Sequence, residues 1–251
     1  MTKIRDIEKY LSRIAPYELS EEWDNDGIML CKSDDVKVTK VLVCLEINPD
    51  AIKKAKDVGA QLIVTHHPLI FRPIKNIKDS SYLEFEALVK NDISVLSCHT
   101  RLDKAQGGVN DILAQKLGLI NIRNDSDFLR YGELCEEIAT ENFADYLREK
   151  LACGKIKAYF EKGRKIKTVA VCGGAGKDFL VEAANVADAY LSSDFSHNTF
   201  IDAKNLGVAI YDAGHYSTEN PVVQELVRLL TIEFPEVEFE SYDIGCPFFV
   251  V

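Results

Sequence analysis

Short apolar runs, three in each half of the chain and separated by stretches of helical spacing, constrain the fold more than any other feature. In the first half Val41 to Leu45, Ala60 to Val64 and Ser94 to Cys98 read as buried strands. Asn48-Pro49-Asp50 is a helix-start signal between the first two, and a second helix is expected near Tyr82 to Lys90. Strand-helix-strand-helix-strand is the alternation of a largely parallel sheet covered by helices. The second half repeats the plan: Lys167 to Cys172 matches Lys40 to Cys44 in type, Ala189 to Ser193 matches Gln61 to Thr65, and Val208 to Tyr211 matches Val95 to Cys98.

The expected fold is therefore α/β, with two similar units of mostly parallel sheet flanked by helices. They would face each other with the carboxyl ends of both sheets together, where open α/β sheets place their ligands. The boundary is drawn after residue 120, giving domains over 1–120 and 121–251, with the C-terminal segment free to return to the first. Residues 120 to 165 should hold a helix from Asn142 to Leu151 and a hairpin made of KIKAYF, an EKGR turn and KIKTVAV. Pro221 to Leu230 reads as a helix followed by closing strands.

Ile4, Ile7, Tyr10, Leu11 and Ile14 lie at helical spacing among charges, unlike the apolar core of a signal peptide, and no apolar run reaches membrane-spanning length. Cys31, Cys44, Cys98, Cys135, Cys153, Cys172 and Cys246 are widely spaced and free of any C-x-x-C pair, which argues against a disulfide framework or a thiolate zinc cage. A reducing, cytoplasmic setting is expected. The net charge of −10 would repel a phosphate backbone, so nonspecific nucleic-acid binding is not expected. The locally basic stretch from Arg148 to Lys167 reads as a solvated hairpin face.

The chemistry gathers at the predicted strand ends, where all five histidines fall. Adjacent strand residues point to opposite faces, so His66 and His67 can serve one site only where the strand ends and the chain turns, an ending that Pro68 supplies. HTRLD and HYSTE each place a histidine and a carboxylate four residues apart, one turn of a helix, after a buried strand: His99 with Asp103, and His215 with Glu219. Imidazole plus carboxylate, without thiolate, is a donor mix suited to zinc, manganese, iron or cobalt. Asp103 and Glu219 are candidate bridges between two divalent ions, with His66, His67 and His215 as terminal ligands. His99, Asp194 and His197 remain for orienting a ligand or moving a proton. The plain alternative is that these are capping and packing residues at strand ends. Gly173-Gly174-Ala175-Gly176 could approach a phosphate but lacks the lysine and serine of a P-loop, and Trp23 reads more readily as a core aromatic than as a base-stacking platform.

WDNDG at 23–27, VTHHPLIF at 64–71, HTRLD followed by GGVNDILA at 107–114, the Asp194 to His197 segment and DAGHYSTE at 212–219 resemble the Nif-three-like proteins, or GTP cyclohydrolase 1 type 2 homologs, in their short form without an inserted middle domain. The resemblance implies a two-domain α/β fold, a dinuclear metal centre on His66, His67, Asp103, His215 and Glu219, and a homohexamer built as a trimer of dimers. It also implies a metal-dependent hydrolase acting on a nucleotide or phosphorylated small molecule. A non-catalytic metal-binding or partner-binding ring is the alternative. Two positions depart from the family pattern. Leu45-Glu46-Ile47-Asn48 stands where the family shows Leu-Asp and then Thr, and Arg101 replaces the Asn of HTNLD. Arg101 could bind substrate by clamping a phosphate, or could pair with a neighbouring acid.

Overall fold

The computed structural model describes residues 1–124 and 126–248. In chain order the elements are α1 (Ile4–Ile14), β1 (Gly27–Leu30), β2 (Lys40–Cys44), α2 (Pro49–Val58), β3 (Leu62–Thr65), α3 (Asp79–Lys90), β4 (Ser94–Ser97) and α4 (Thr100–Lys104). There follow α5 (Val109–Lys116), β5 (Ile120–Arg123), β6 (Arg130–Ala139), α6 (Thr140–Leu151), β7 (Lys157–Tyr159), β8 (Lys165–Val171), α7 (Leu180–Val186) and β9 (Ala189–Ser192). The chain closes with α8 (His197–Leu206), β10 (Ala209–Asp212), α9 (His215–Glu219), α10 (Pro221–Glu233) and β11 (Glu238–Ser241).

Two compact units result. The first is Met1–Gln106 with Val222–Gly245, and the second begins at Gly107 and runs to Pro221. The division thus falls before α5, which the boundary drawn at 120 had left with the first domain. Helix α5 presents Leu113 and Ala114 to a core shared with α6 and β8, so burial assigns it to the second unit.

The first unit holds a sheet of order β1-β4-β3-β2-β11, parallel except for β1, which runs antiparallel to β4. Its central strands are apolar on both faces because helices cover both. Leu42, Cys44, Ile63 and Val95 pack with Ala51, Ile52 and Ala55 of α2 and Leu88 of α3. Asn48 accepts from the amide of Ala51, with Pro49 as the first helical residue, and Gly59 ends α2 in the left-handed region. Helix α1 buries Ile4, Ile7, Tyr10 and Leu11 as its spacing predicts, and Tyr10 meets Phe234 edge-on at 5.8 Å.

The second unit holds a sheet of order β5-β6-β8-β9-β10-β7. The β8-β9-β10 centre is parallel, while β5, β6 and β7 join by antiparallel pairings. Alternation is plain here. Val169, Val171, Leu191 and Tyr211 face α5 and α6, whereas Ala170, Tyr190 and Ile210 face α7 and α8. The predicted hairpin is not formed: β7 pairs with β10 at the sheet edge, and β8 lies between β6 and β9. Residues 160–164 therefore cross three interstrand spacings, about 14 Å, within the reach of an extended segment of that length. Among the described residues no helix is long and apolar enough to cross a membrane.

Candidate metal centre

In the first unit the chain curls as β3 ends. The amides of His66 and His67 both donate to the Leu45 carbonyl, at 3.1 and 2.8 Å, and Thr65 Oγ1 donates to the His67 carbonyl at 2.7 Å. Strand alternation is lost, and the two rings lie together with centroids 5.1 Å apart. The His99 ring stands 5.2 Å from His66 and 5.7 Å from His67. The three histidines offer ligand atoms within 4.8 Å of one another. Asp103, on α4, brings Oδ1 to 3.4 Å from His66 Nε2, and both residues are buried.

In the second unit His215 opens α9 and Glu219 closes it, with His215 Nε2 2.9 Å from Glu219 Oε2. Glu219 is buried. The seat for its carboxylate is the glycine loop after β8. Gly174 has φ +63°, and a Cβ there would collide with Glu219 Oε1 and come within 3.1 Å of His215 Nε2. The Gly174 amide donates to Thr218 Oγ1 at 3.0 Å, and its carbonyl accepts from the Ser193 amide at 2.9 Å and the Ser192 hydroxyl at 3.0 Å. This loop, weighed from sequence as a phosphate cradle, makes room for an acid instead. Gly174→Ala is expected to cost about 1–3 kcal/mol, measured as a lower urea midpoint with unchanged slope.

Every histidine of these two clusters turns the same way. His66 Nδ1 meets the Cys98 carbonyl at 2.9 Å, His67 Nδ1 meets Glu46 Oε2 at 3.1 Å, His99 Nδ1 meets Asp24 Oδ1 at 2.8 Å, and His215 Nδ1 meets Asp194 Oδ2 at 2.7 Å. A carbonyl or an ionised carboxylate only accepts, so Nδ1 carries a proton in each ring, and Nε2, the nitrogen that could meet a cation, is turned away from that acceptor. An acceptor fixing the far nitrogen is the usual support of a metal-ligating histidine. The donor set therefore fits divalent cations by its chemistry within each unit.

Asp194 takes a left-handed backbone, φ +57°, to reach His215. His197 opens α8 and is exposed, with no hydrogen bond to His215 or Glu219 among the described residues. Glu46, which follows β2, turns its carboxylate to His67.

The WDNDG segment clamps α4. Asp24 accepts from His99 Nδ1, the Thr100 amide at 3.1 Å and the Thr100 hydroxyl at 2.6 Å, while Asp26 accepts from the His99 amide at 3.2 Å. Burial alone would raise the Asp24 carboxyl, but hydrogen bonds from His99 and Thr100 outweigh it and hold it down at about 2. Arg101 is no phosphate clamp. It is 0% exposed, its Nε lies 3.1 Å from Asp26 Oδ1, its Nη1 donates to the Ala15 carbonyl at 2.8 Å, and it lies over the Tyr17 ring. Trp23 is not a core aromatic either, being 60% exposed. Sequence reasoning missed the roles of Asp24, Asp26, Glu46 and Gly174. The two aspartates flanking Asn25 were the one visible signal.

Each of the two α/β units gathers histidine and carboxylate side chains where parallel strands end, groups of a kind able to hold a metal ion. The chain belongs to the Duf34/NIF3 (NGG1p interacting factor 3) family, whose sequence model matches residues 2–245. It is 32% identical to a GTP cyclohydrolase 1 type 2 homolog of Clostridium perfringens over 88% of each chain. It is also 31% identical to the GTP cyclohydrolase 1 type 2 of Helicobacter pylori, covering 93% of this chain and 96% of that one. Among solved structures, a Staphylococcus aureus hypothetical protein superposes with a TM-score of 0.94 at 27% identity over 99% of both chains.

Proposed function

We propose that the chain holds two divalent cations and uses them to hydrolyse a nucleotide or phosphorylated small molecule. His66, His67 and Asp103 of the first unit and His215 and Glu219 of the second are the ligands in this reading. The observation that carries it is the common orientation of the rings, each with Nδ1 held by an acceptor, and with Nε2 of His66 and of His215 directed at the carboxylates of Asp103 and Glu219. Asp103 and Glu219 are both buried, and each would offer a carboxylate to an ion held by its own unit. Two such ions supply Lewis-acid activation of water and of a substrate oxygen.

The remaining groups position and move protons. Glu46 and Asp194 orient His67 and His215. His99, anchored by Asp24, is assigned proton transfer at Nε2 in preference to His197, because its ring contacts those of His66 and His67. Relatives named GTP cyclohydrolase 1 type 2 support a nucleotide as substrate. A homohexamer belongs to the same proposal and is read as a native mass six times that of one chain.

The test is a panel of GTP, other nucleotides and generic phosphoesters, incubated with zinc- or manganese-loaded protein. Turnover that disappears in a folded Glu219→Ala variant supports hydrolysis. Stoichiometric metal without turnover of any member contradicts it and favours the non-catalytic ring.

A further inference from the structure

Two large aromatic rings stand exposed beside the histidine cluster of the first unit, and the proposed hydrolysis leaves them unused. Trp23 is 60% exposed and Phe71 is 44% exposed. Their rings meet edge-on, with centroids 5.8 Å apart and an interplanar angle of 71°. Phe71 in turn meets the His99 ring at 6.0 Å and 85°. A continuous series of ring contacts thus runs from His66 and His67 through His99 and Phe71 to Trp23 at the surface.

The rings are exposed but firmly mounted. Trp23 directly precedes Asp24, which is bonded to His99 and Thr100, and the Glu21 amide donates to Thr100 Oγ1 at 3.0 Å. Asn25 donates to the Ile70 carbonyl, tying the Trp23 loop to the segment that carries Phe71. Burying such side chains would ordinarily stabilise a fold by a substantial amount, so two anchored aromatics left in water next to a cluster of ligands point to a partner that stacks on them. The residues that follow, Arg72, Lys75 and Lys78, are exposed and basic in a chain of net charge −10, which suits a ring compound bearing phosphate.

We propose that Trp23 and Phe71 form a stacking platform for the planar heteroaromatic ring of a phosphorylated substrate, delivering it to the metal site. The inference rests on the proposed metal-dependent function and names the substrate class. Ring stacking on aromatic side chains tolerates any flat base, so the platform selects for a ring rather than for one particular base.

Trp23 is the sole tryptophan of the chain, so its emission reports on the platform directly. The probes are GMP, AMP and ribose 5-phosphate, which carries the sugar and phosphate without a base. Saturable quenching by both nucleotides is expected. Calorimetry should show them binding about 5- to 100-fold more tightly than ribose 5-phosphate. Phe71→Ala and Trp23→Ala should each erase that preference while zinc content stays at the wild-type value. Equal affinity for all three probes would overturn the platform. So would emission that acrylamide fails to quench together with a smaller native mass for Trp23→Ala, the signature of a second copy covering the ring. Zinc content of the same samples separates the two claims. Protein that takes up zinc without preferring a ring refutes the platform alone, and protein that prefers a ring but takes up no zinc refutes the metal-site reading.

Discussion

Glu219→Ala is expected to lower zinc affinity by at least about 100-fold, more than loss of an orienting partner, which costs 10- to 100-fold. The carboxylate is buried, adjoins His215 Nε2 at 2.9 Å, and sits where the glycine loop leaves room for it and for little else. Because ions that bind only the folded chain stabilise it, wild type held at a hundred times its dissociation constant should gain about 2.7 kcal/mol. A chelator should remove that gain. At the same zinc concentration the variant should keep no more than about 0.4 kcal/mol of it, a small shift in melting temperature followed by differential scanning calorimetry. Zinc-dependent stabilisation equal to that of the wild type would exclude Glu219 as a ligand. Asp194→Ala should fall between the two, since it removes only the acceptor that holds His215 Nδ1.

The second large effect concerns Arg101. Its guanidinium and the Asp26 carboxylate are both buried, and removing one partner strands the other charge away from water. Arg101→Leu is therefore expected to cost about 3–5 kcal/mol, which corresponds to a fall of roughly 10 °C or more in Tm for a chain of this size. Contacts with the Ala15 carbonyl and the Tyr17 face go as well. The double variant Arg101→Leu with Asp26→Leu should recover part of the loss, because the stranded charge is then absent. A single variant as stable as wild type would show that the pair contributes nothing. Since Asp26 also holds the His99 amide, the loss should loosen the start of α4 and with it Asp103.

What the sequence made legible was local. Apolar runs and helix caps located the strands and helices that carry His66, His99, Asp194 and His215, because burial on both faces and capping are written in neighbouring residues. The bend that puts His66 and His67 on one side was likewise readable from a strand stopped by proline. Pairings across long separations were not. Asp24 meets His99 across 75 positions, and nothing in the spacing of either motif announces it. The same holds for β7, whose sequence suits a hairpin with β8 but whose partner, β10, lies some fifty residues on. Trp23 reads from sequence as a core aromatic because hydrophobic side chains are usually buried, and exposure at a site is the exception that composition cannot show. Arg101 was open between two roles until its burial against Asp26 settled which one the side chain fills.

Counting the ions is the most direct measurement. Protein purified without chelator, supplied with zinc or manganese and freed of excess by dialysis should contain two ions per chain by elemental analysis, and crystals of it should show two anomalous peaks within coordination distance of the histidine nitrogens and carboxylate oxygens named above. A preparation that retains no divalent ion under these conditions, or anomalous peaks remote from His66, His67, Asp103, His215 and Glu219, would contradict the account.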